Sequence, residues 1–411
     1  MLQALQSEPR RESQLPDLTI EEQQRFARHL ILPEVGETGQ RRLKAARVLC
    51  VGLGGLGSPV ALYLAAAGVG TLGLIDGDRV ELTNLQRQVL HATPDVGASK
   101  IDSASRKLLA LNPALRIEAH ATMLRAANAL ELIGSYDVIV DGTDNFSTRY
   151  LVNDACVLAG RPNVYGSIFR FEGQASVFAH GGGPCYRCLY PEPPPPGMIP
   201  DCAEGGVLGV LPGLIGTIQA TEAIKVILGL DGTLTGRLLI ADALAMRFHT
   251  LTIRRNPECP VCGDSPAIRE LIEYPELCGR SQQFDERQQS DSKQDEPNRR
   301  ETNLKNGIPQ ITVHELKRRH EAQEPHLLLD VREPWEHAVA NIGGHLIPLN
   351  QLPARLHELH PGQEIIVHCH SGMRSQRAAE MLRQAGFERV SNLAGGIHAW
   401  SVEIDPKVPT Y

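Results

Sequence analysis

Residues 47–76 read RVLCVGLGGLGSPVALYLAAAGVGTLGLID, and this stretch decides the fold. Arg47–Val51 is an apolar run of strand length. A glycine-rich turn follows, Val51-Gly52-Leu53-Gly54-Gly55-Leu56-Gly57, and Ser58–Ala67 then continues as an apolar helix. Thr71–Asp76 is a second strand. A strand, a tight turn, a helix and a returning strand make a crossover unit, which pairs its strands in parallel. Further along, Ser99–Ala110 reads as a helix, Asp137–Asp141 as a strand and Asn145–Ala159 as a helix. Upstream, Thr19–Leu32 reads as a leading helix with Thr19 and Glu22 at capping-box spacing.

The alternation predicts an α/β fold with a Rossmann-like, doubly wound, mostly parallel sheet covered on both faces. From Gly279 to Asn303 there is no Leu, Ile, Val or Met. Such a segment cannot bury enough apolar area to offset its ordering entropy, so residues 276–306 read as a flexible linker. Residues 1–275 then form a large first domain and 307–411 a small α/β second one. In the latter, Val313–Arg319 and Ser375–Ala385 read as helices, and Leu327–Asp330 and Ile365–His368 as strands. The proline cluster Pro191–Pro196 reads as extended and exposed.

Composition narrows the function. The 411 residues carry a net charge of −7 and only 4% aromatic residues, which disfavours nucleic acid as a partner. The N-terminus has no continuous apolar core, so it is not read as a signal peptide. The apolar stretch near Val207–Leu230 is interrupted by Pro212, Gln219, Glu222 and Lys225, and is read as a buried helix rather than a membrane span. Nine cysteines including two CxxC pairs suit metal binding in a reducing cytoplasm.

Glycines 52–57 allow close approach of a phosphate to the backbone at a helix N-terminus, and Asp76, closing the second strand, suits ribose hydroxyls. That pattern alone fits a NAD-dependent dehydrogenase at least as well as an ATP enzyme. Thr83-Asn84-Leu85-Gln86-Arg87, Lys100 and Asp141-Gly-Thr-Asp144-Asn145 follow near strand ends. Arg87, Lys100 and a carboxylate such as Asp144 suit a triphosphate with Mg²⁺, a charge density that a dehydrogenase does not need.

Cys185-Tyr-Arg-Cys188 and Cys259-Pro-Val-Cys262 can supply four thiolates to a closed structural Zn²⁺ site. A redox CxxC usually opens a helix, whereas Cys185 follows Gly-Gly-Gly-Pro and Cys259 follows Asn-Pro. Cys50 and Cys156 read as core, and Cys278 has no assignment. Near the C-terminus, Ile365–Ser375 reads IIVHCHSGMRS. Cys369 stands at a strand-to-loop-to-helix junction, where backbone N–H groups and a helix N-terminus favour a thiolate or persulfide anion. A structural cysteine is the plainer alternative. Asp330 and Arg332 read as structural.

VGLGGLGS (51–58), LIDGDRVELTNLQRQ (74–88), Lys100 and DGTDN (141–145) resemble the ThiF/MoeB superfamily, bacterial relatives of ubiquitin-activating enzymes, over about residues 17–275. The Cys369 loop, with LLDVRE (328–333) and NIGGHLIP (341–348), resembles a rhodanese. Together they look like a fused adenylyltransferase–sulfurtransferase.

The resemblance implies that ATP lies along Gly52–Gly57, with Gly54 and Gly55 near the phosphates and Asp76 on the ribose. Asn84, Arg87 and Lys100 then hold the triphosphate and Asp144 the Mg²⁺, with Thr83, Leu85, Gln86 and Asn145 as further nucleotide-binding residues. Arg28 enters the site of a partner subunit, making a homodimer. The substrate implied is a small ubiquitin-fold sulfur carrier ending in Gly-Gly. Its carboxylate is adenylated and then receives persulfide sulfur from Cys369, with Arg374 favouring an anionic donor or the persulfide charge.

The donor implied is a cysteine desulfurase or thiosulfate, and the pathway one of molybdenum cofactor, thiamine, cysteine or tRNA thiolation. Some members use the cysteine matching Cys202 for a thioester or acyl disulfide. Asp201 and Glu204 beside it raise a thiol's pKa, so a catalytic and a plain role both stay open. A loop one residue longer, as in related phosphatases, would make room for phosphate; this one suits a terminal sulfur. The competing readings are a dehydrogenase, a non-catalytic carrier-binding scaffold and a conjugating activator.

Overall fold

The computed structural model describes residues 14–193, 206–273 and 304–410, and these fall into two compact units, one before and one after the gap at 274–303. Cys202, Cys278, Pro194–Pro196 and the stretch read as a linker up to residue 303 lie outside the described residues.

Among the described residues the first unit is built on an eight-stranded sheet. Its strands are β1 (Arg47–Val51), β2 (Thr71–Ile75), β3 (Arg116–His120), β4 (Val138–Asp141), β5 (Asn163–Phe169), β6 (Glu172–Phe178), β7 (Arg237–Asp242) and β8 (Arg247–Thr252). The spatial order is β3-β2-β1-β4-β5-β6-β7-β8. The first five pair in parallel, and β5 to β8 form an antiparallel extension that the sequence reading did not foresee.

Both faces of the parallel part are covered, which is why its strands read as continuous apolar runs. Val48 and Cys50 face a core shared with helices Gly57–Ala67, Lys100–Leu111 and Leu211–Leu228. Leu49 and Val51 face helices Ala126–Gly134 and Phe146–Ala159, and Cys156 belongs to that second core. Leu211–Leu228 is long and apolar enough to cross a membrane by length and composition. Its Leu211, Ile215, Gln219, Ala220 and Ala223 are buried in the fold. Glu222 on it accepts from Leu234 N–H at 2.7 Å and from Lys225 Nζ at 2.7 Å.

The chain reverses direction of sheet order at β1, whose neighbours are β2 and β4 in register Val51↔Ile75 and Val51↔Asp141. A crevice opens beyond the carboxyl ends of strands at such a switch point. The turn there is tight: a Cβ on Gly57 would sit 1.9 Å from Gly52 O, so no other residue fits.

The leading helix begins as its capping box predicts, with Glu22 N–H donating to Thr19 Oγ1 at 3.2 Å and Thr19 N–H to Glu22 Oε2 at 2.7 Å. It is not continuous to Leu32. It breaks at Phe26 (φ −99°, ψ 15°) into Ile20–Arg25 and Ala27–Leu30. The Phe26 ring is buried against the Gly68 turn, and that burial overrides helical continuity.

The second unit carries six strands among the described residues: β9 (Leu304–Lys305), β10 (Ile308–Ile311), β11 (Leu327–Asp330), β12 (His345–Leu346), β13 (Ile365–His368) and β14 (Val390–Leu393). Their order is β12-β11-β13-β14-β10-β9, all parallel except the β9–β10 hairpin. Strand β9 begins inside the stretch read as linker. The central strand β13 leads into Cys369, and the helix after it spans Met373–Gln384, two residues earlier than its pattern predicts.

Candidate functional site

A cleft with a cavity volume of about 120 Å³ lies at the carboxyl ends of β1, β2 and β4. Of the residues singled out from sequence, Gly52, Gly54, Gly55, Asp76, Arg87, Lys100, Asp144 and Asn145 line it. Gly57, Thr83, Asn84, Leu85 and Gln86 do not stand on its walls. Gly57 serves the turn from behind. Asn84 is 8% exposed, and its Oδ1 accepts from Glu81 N–H at 3.0 Å, capping the short 3₁₀ turn Leu82–Asn84. Thr83 Oγ1 donates to Glu81 Oε2 at 3.3 Å, while its carbonyl accepts from Arg87 Nη1 at 3.0 Å. In this arrangement the 83–86 stretch acts as the scaffold that places Arg87.

Asp76 is tied to the glycine-rich turn itself. Its Oδ2 accepts from Leu53 N–H at 2.8 Å and its Oδ1 from Asp78 N–H at 2.8 Å. Lys100 lies 3.9 Å from Asp76 Oδ2 and pairs at 2.8 Å with Asp78 Oδ2. The sequence reading missed Asp78, the half-exposed carboxylate that pairs with Lys100.

Asp144 is exposed on the lip of the cleft, held there by its neighbours. Asp141 Oδ1 accepts from Thr143 N–H (3.0 Å) and Thr143 Oγ1 (2.6 Å), and Arg149 Nη2 donates to Thr143 O at 3.0 Å. Burial pushes the Asp141 carboxyl above its usual range, with Arg149 opposing. Asn145 caps the helix Phe146–Ala159 by accepting from Thr148 N–H at 2.8 Å. Arg28 is exposed on Ala27–Leu30.

The four cysteines of the CxxC pairs converge after β6 and β8. Their sulfurs lie within 4.8 Å of one another, at 3.5 Å for Cys185–Cys259, 3.4 Å for Cys188–Cys262 and 4.0 Å for Cys185–Cys188. Tetrahedral zinc with Zn–S near 2.3 Å needs sulfurs about 3.8 Å apart, so the donor set fits the ion. Asn256 N–H donates to Cys188 Sγ at 3.3 Å, the kind of outer contact that steadies a thiolate ligand. Contrary to the expectation from the preceding Gly-Gly-Gly-Pro, Cys185 stands at the start of a helix, the single turn Tyr186–Leu189. What speaks for metal is the second pair of sulfurs within reach of the first.

In the second unit Cys369 is fully buried at the bottom of its loop, where Gly372 N–H donates to Sγ at 3.1 Å and Ser375 Oγ at 3.3 Å. Gly372 reaches that position with φ +98°, which favours glycine. A second helix, Gly396–Glu403, braces the loop from its N-terminus: Ile397 N–H donates to Cys369 O (2.9 Å) and His398 N–H to His370 O (3.0 Å). Arg374 stands on the first turn of the helix that follows the Cys369 loop. It makes a two-pronged pair with Glu336 at 2.6 and 2.7 Å, and Glu336 is 5% exposed.

Asp330 and Arg332 are structural, as their sequence setting predicts: both are fully buried, paired at 2.6 Å, with Arg332 Nη2 also donating to Ala340 O at 2.9 Å. Burial opposes the charge on Asp330, but Arg332 and His368 outweigh it and hold the carboxyl down at about 2. Burial pushes His368 down to about 4, so at neutral pH it brings no positive charge beside Cys369.

The ThiF family model matches residues 26–261 and the rhodanese-like domain model residues 312–403. The probable adenylyltransferase/sulfurtransferase MoeZ of Mycobacterium tuberculosis is 46% identical over 401 residues, covering 96% of this chain and 96% of that protein. The sulfur carrier protein adenylyltransferase of Thermus thermophilus is 56% identical over 266 residues, which are 64% of this chain and 98% of that protein. Among solved structures, Escherichia coli MccB with AMPCPP and MccA aligns at a TM-score of 0.53 and 25% identity, over 59% of this chain and 74% of that one. The chain belongs to the ThiF family and carries a rhodanese-like domain after it, the combination of an adenylyltransferase with a sulfurtransferase.

Proposed function

We propose that this enzyme activates the C-terminal glycine of a small ubiquitin-fold sulfur carrier with ATP and converts it to a thiocarboxylate. Residues 1–275 are the adenylating part, 307–411 the sulfur-transferring part and 276–306 the connection between them. The observation that carries the reading is the coexistence in one chain of a cleft at a strand switch point, where Arg87, Lys100 and Asp144 come together, and a buried thiol in a ring of donors.

The carrier carboxylate is ionised at pH 7 and needs no protein base. Its oxygen attacks the α-phosphate, the bond to the β-phosphate breaks, and pyrophosphate leaves. Gly52, Gly54 and Gly55 bring backbone close to the phosphates, Asp76 receives the ribose, and Arg87 and Lys100 neutralise charge, so catalysis is positioning plus electrostatics. Asp144 would hold Mg²⁺, which would supply further neutralisation at the phosphates. Arg28 reaches the site of a second copy in a homodimer. Cys185, Cys188, Cys259 and Cys262 hold a structural Zn²⁺; elemental analysis is expected to give about one zinc per chain, and stable protein free of metal would refute it.

Cys369 takes a sulfane sulfur from its donor, a cysteine desulfurase or thiosulfate, as a persulfide. The terminal sulfur attacks the acyl carbon, the carbon–oxygen bond to phosphate breaks and AMP leaves, giving an acyl disulfide. A second thiol, Cys202 or an external one, attacks the Cys369 sulfur. The sulfur–sulfur bond breaks, and the carrier departs as a thiocarboxylate. Incubation with ATP, Mg²⁺, a persulfide donor and each candidate Gly-Gly carrier tests this by mass spectrometry. One carrier is expected to gain the mass of a sulfur-for-oxygen exchange and thereby to name the pathway; no pyrophosphate release with any of them overturns the reading.

A further inference from the structure

His91 stands behind the cleft, outside its lining, and is 6% exposed. Both ring nitrogens are engaged. Nε2 lies 3.2 Å from Leu53 O, and Nδ1 lies 2.9 Å from Ser103 Oγ. A carbonyl only accepts, so Nε2 carries the proton and Nδ1 accepts from the serine hydroxyl. This tautomer is neutral, in keeping with the burial that lowers the ring's pKa; Lys107 and Lys100 disfavour its charged form while Asp76 and the bond to Leu53 favour it.

The two partners belong to different walls of the site. Leu53 is the middle of the glycine-rich turn, and its N–H is the one that Asp76 holds. Ser103 lies one turn into the helix Lys100–Leu111, whose first residue is the cleft cation Lys100. His91 is also three residues beyond Gln88, a cleft residue whose carbonyl accepts from His91 N–H at 2.9 Å. One imidazole therefore spans the turn that receives phosphates, the helix that presents Lys100 and the segment that presents Arg87. Ser58 Oγ also donates to Leu53 O, at a longer 3.3 Å, and does not reach the helix.

We infer that His91 is a positioning residue for nucleotide binding: through its two hydrogen bonds it sets the distance between the glycine-rich turn and Lys100. This rests on the adenylyl-transfer reading above. The bond to Leu53 O is the half that matters for the phosphates, because it fixes the orientation of the peptide group between Leu53 and Gly54.

The side-chain variants separate the two bonds. The amide nitrogen of glutamine is placed like Nε2 and that of asparagine like Nδ1. Calorimetric binding of Mg-ATP to the full-length protein is expected to weaken roughly tenfold in His91→Phe and His91→Asn and to stay within about threefold of wild type in His91→Gln. The carrier's KM in pyrophosphate exchange should be unchanged in all three. A role in packing alone would give similar losses for glutamine and asparagine, in step with their melting temperatures. That outcome, or wild-type ATP affinity in His91→Phe, overturns the inference. Wild-type protein that binds no ATP would instead overturn the adenylyl-transfer reading itself, so the two failures are distinct.

Discussion

Cys369→Ala is expected to leave carrier-dependent pyrophosphate exchange at the wild-type rate and to reduce thiocarboxylate formation to background, a loss on the order of a thousandfold or more. The separation follows from the architecture. The thiol belongs to the second unit, whereas the cleft residues all belong to the first. Alanine removes the one atom that carries the sulfane sulfur, and its smaller volume sits at a buried position whose backbone is held independently by Ile397 N–H. The loop should therefore persist without its nucleophile. Exchange and carrier mass are read on the same sample with a persulfide donor. Full thiocarboxylation by the variant would mean that sulfur reaches the adenylate by another route, and the relay through Cys369 would fall.

The second large effect is expected at Asp144. Replacing it by alanine should lower carrier-dependent exchange by on the order of a hundredfold to a thousandfold, as loss of a group that organises charge at a phosphoryl centre does. Its carboxylate is exposed on the lip of the cleft, while the backbone around it is fixed by Asp141, Thr143, Arg149 and the Asn145 cap. Because the side chain takes no part in that clamp, the melting temperature should stay within a few degrees of wild type. Exchange near the wild-type rate in a folded variant would remove Asp144 from the site.

The parts of this fold that were legible are those where burial leaves a trace in sequence. The β1–helix–β2 unit is covered on both faces, so its apolar run and its glycines announce it. Strand β8, RFHTLT, is exposed at every position, and β3, RIEAH, is an edge with little burial; neither has a pattern to read. The sulfur tetrad was legible because CxxC spacing fixes two ligands at a time. Helix breaks such as Phe26 depend on a distant pocket and were not.

The site divides in the same way. Gly52, Gly54, Gly55, Asp76, Arg87, Lys100 and Asp144 line one cleft, because strand ends at a switch point open toward one crevice. What motif spacing could not convey is who already occupies each polar group. Asn84 is taken by Glu81, Lys100 by Asp78, and Arg374 by Glu336, thirty-eight residues away in sequence. His91 escaped notice for the same reason, since a buried histidine in an apolar stretch shows its partners only in three dimensions.

The engagement of Asp76 with the Leu53 amide has a thermodynamic consequence. The glycine-rich turn, proposed to receive the nucleotide, is held by this bond without any ligand, its freedom surrendered when the chain folds. Arrival of the substrate then loses little conformational entropy at this point, and more of the contact energy remains available for affinity and for aligning the reacting oxygen.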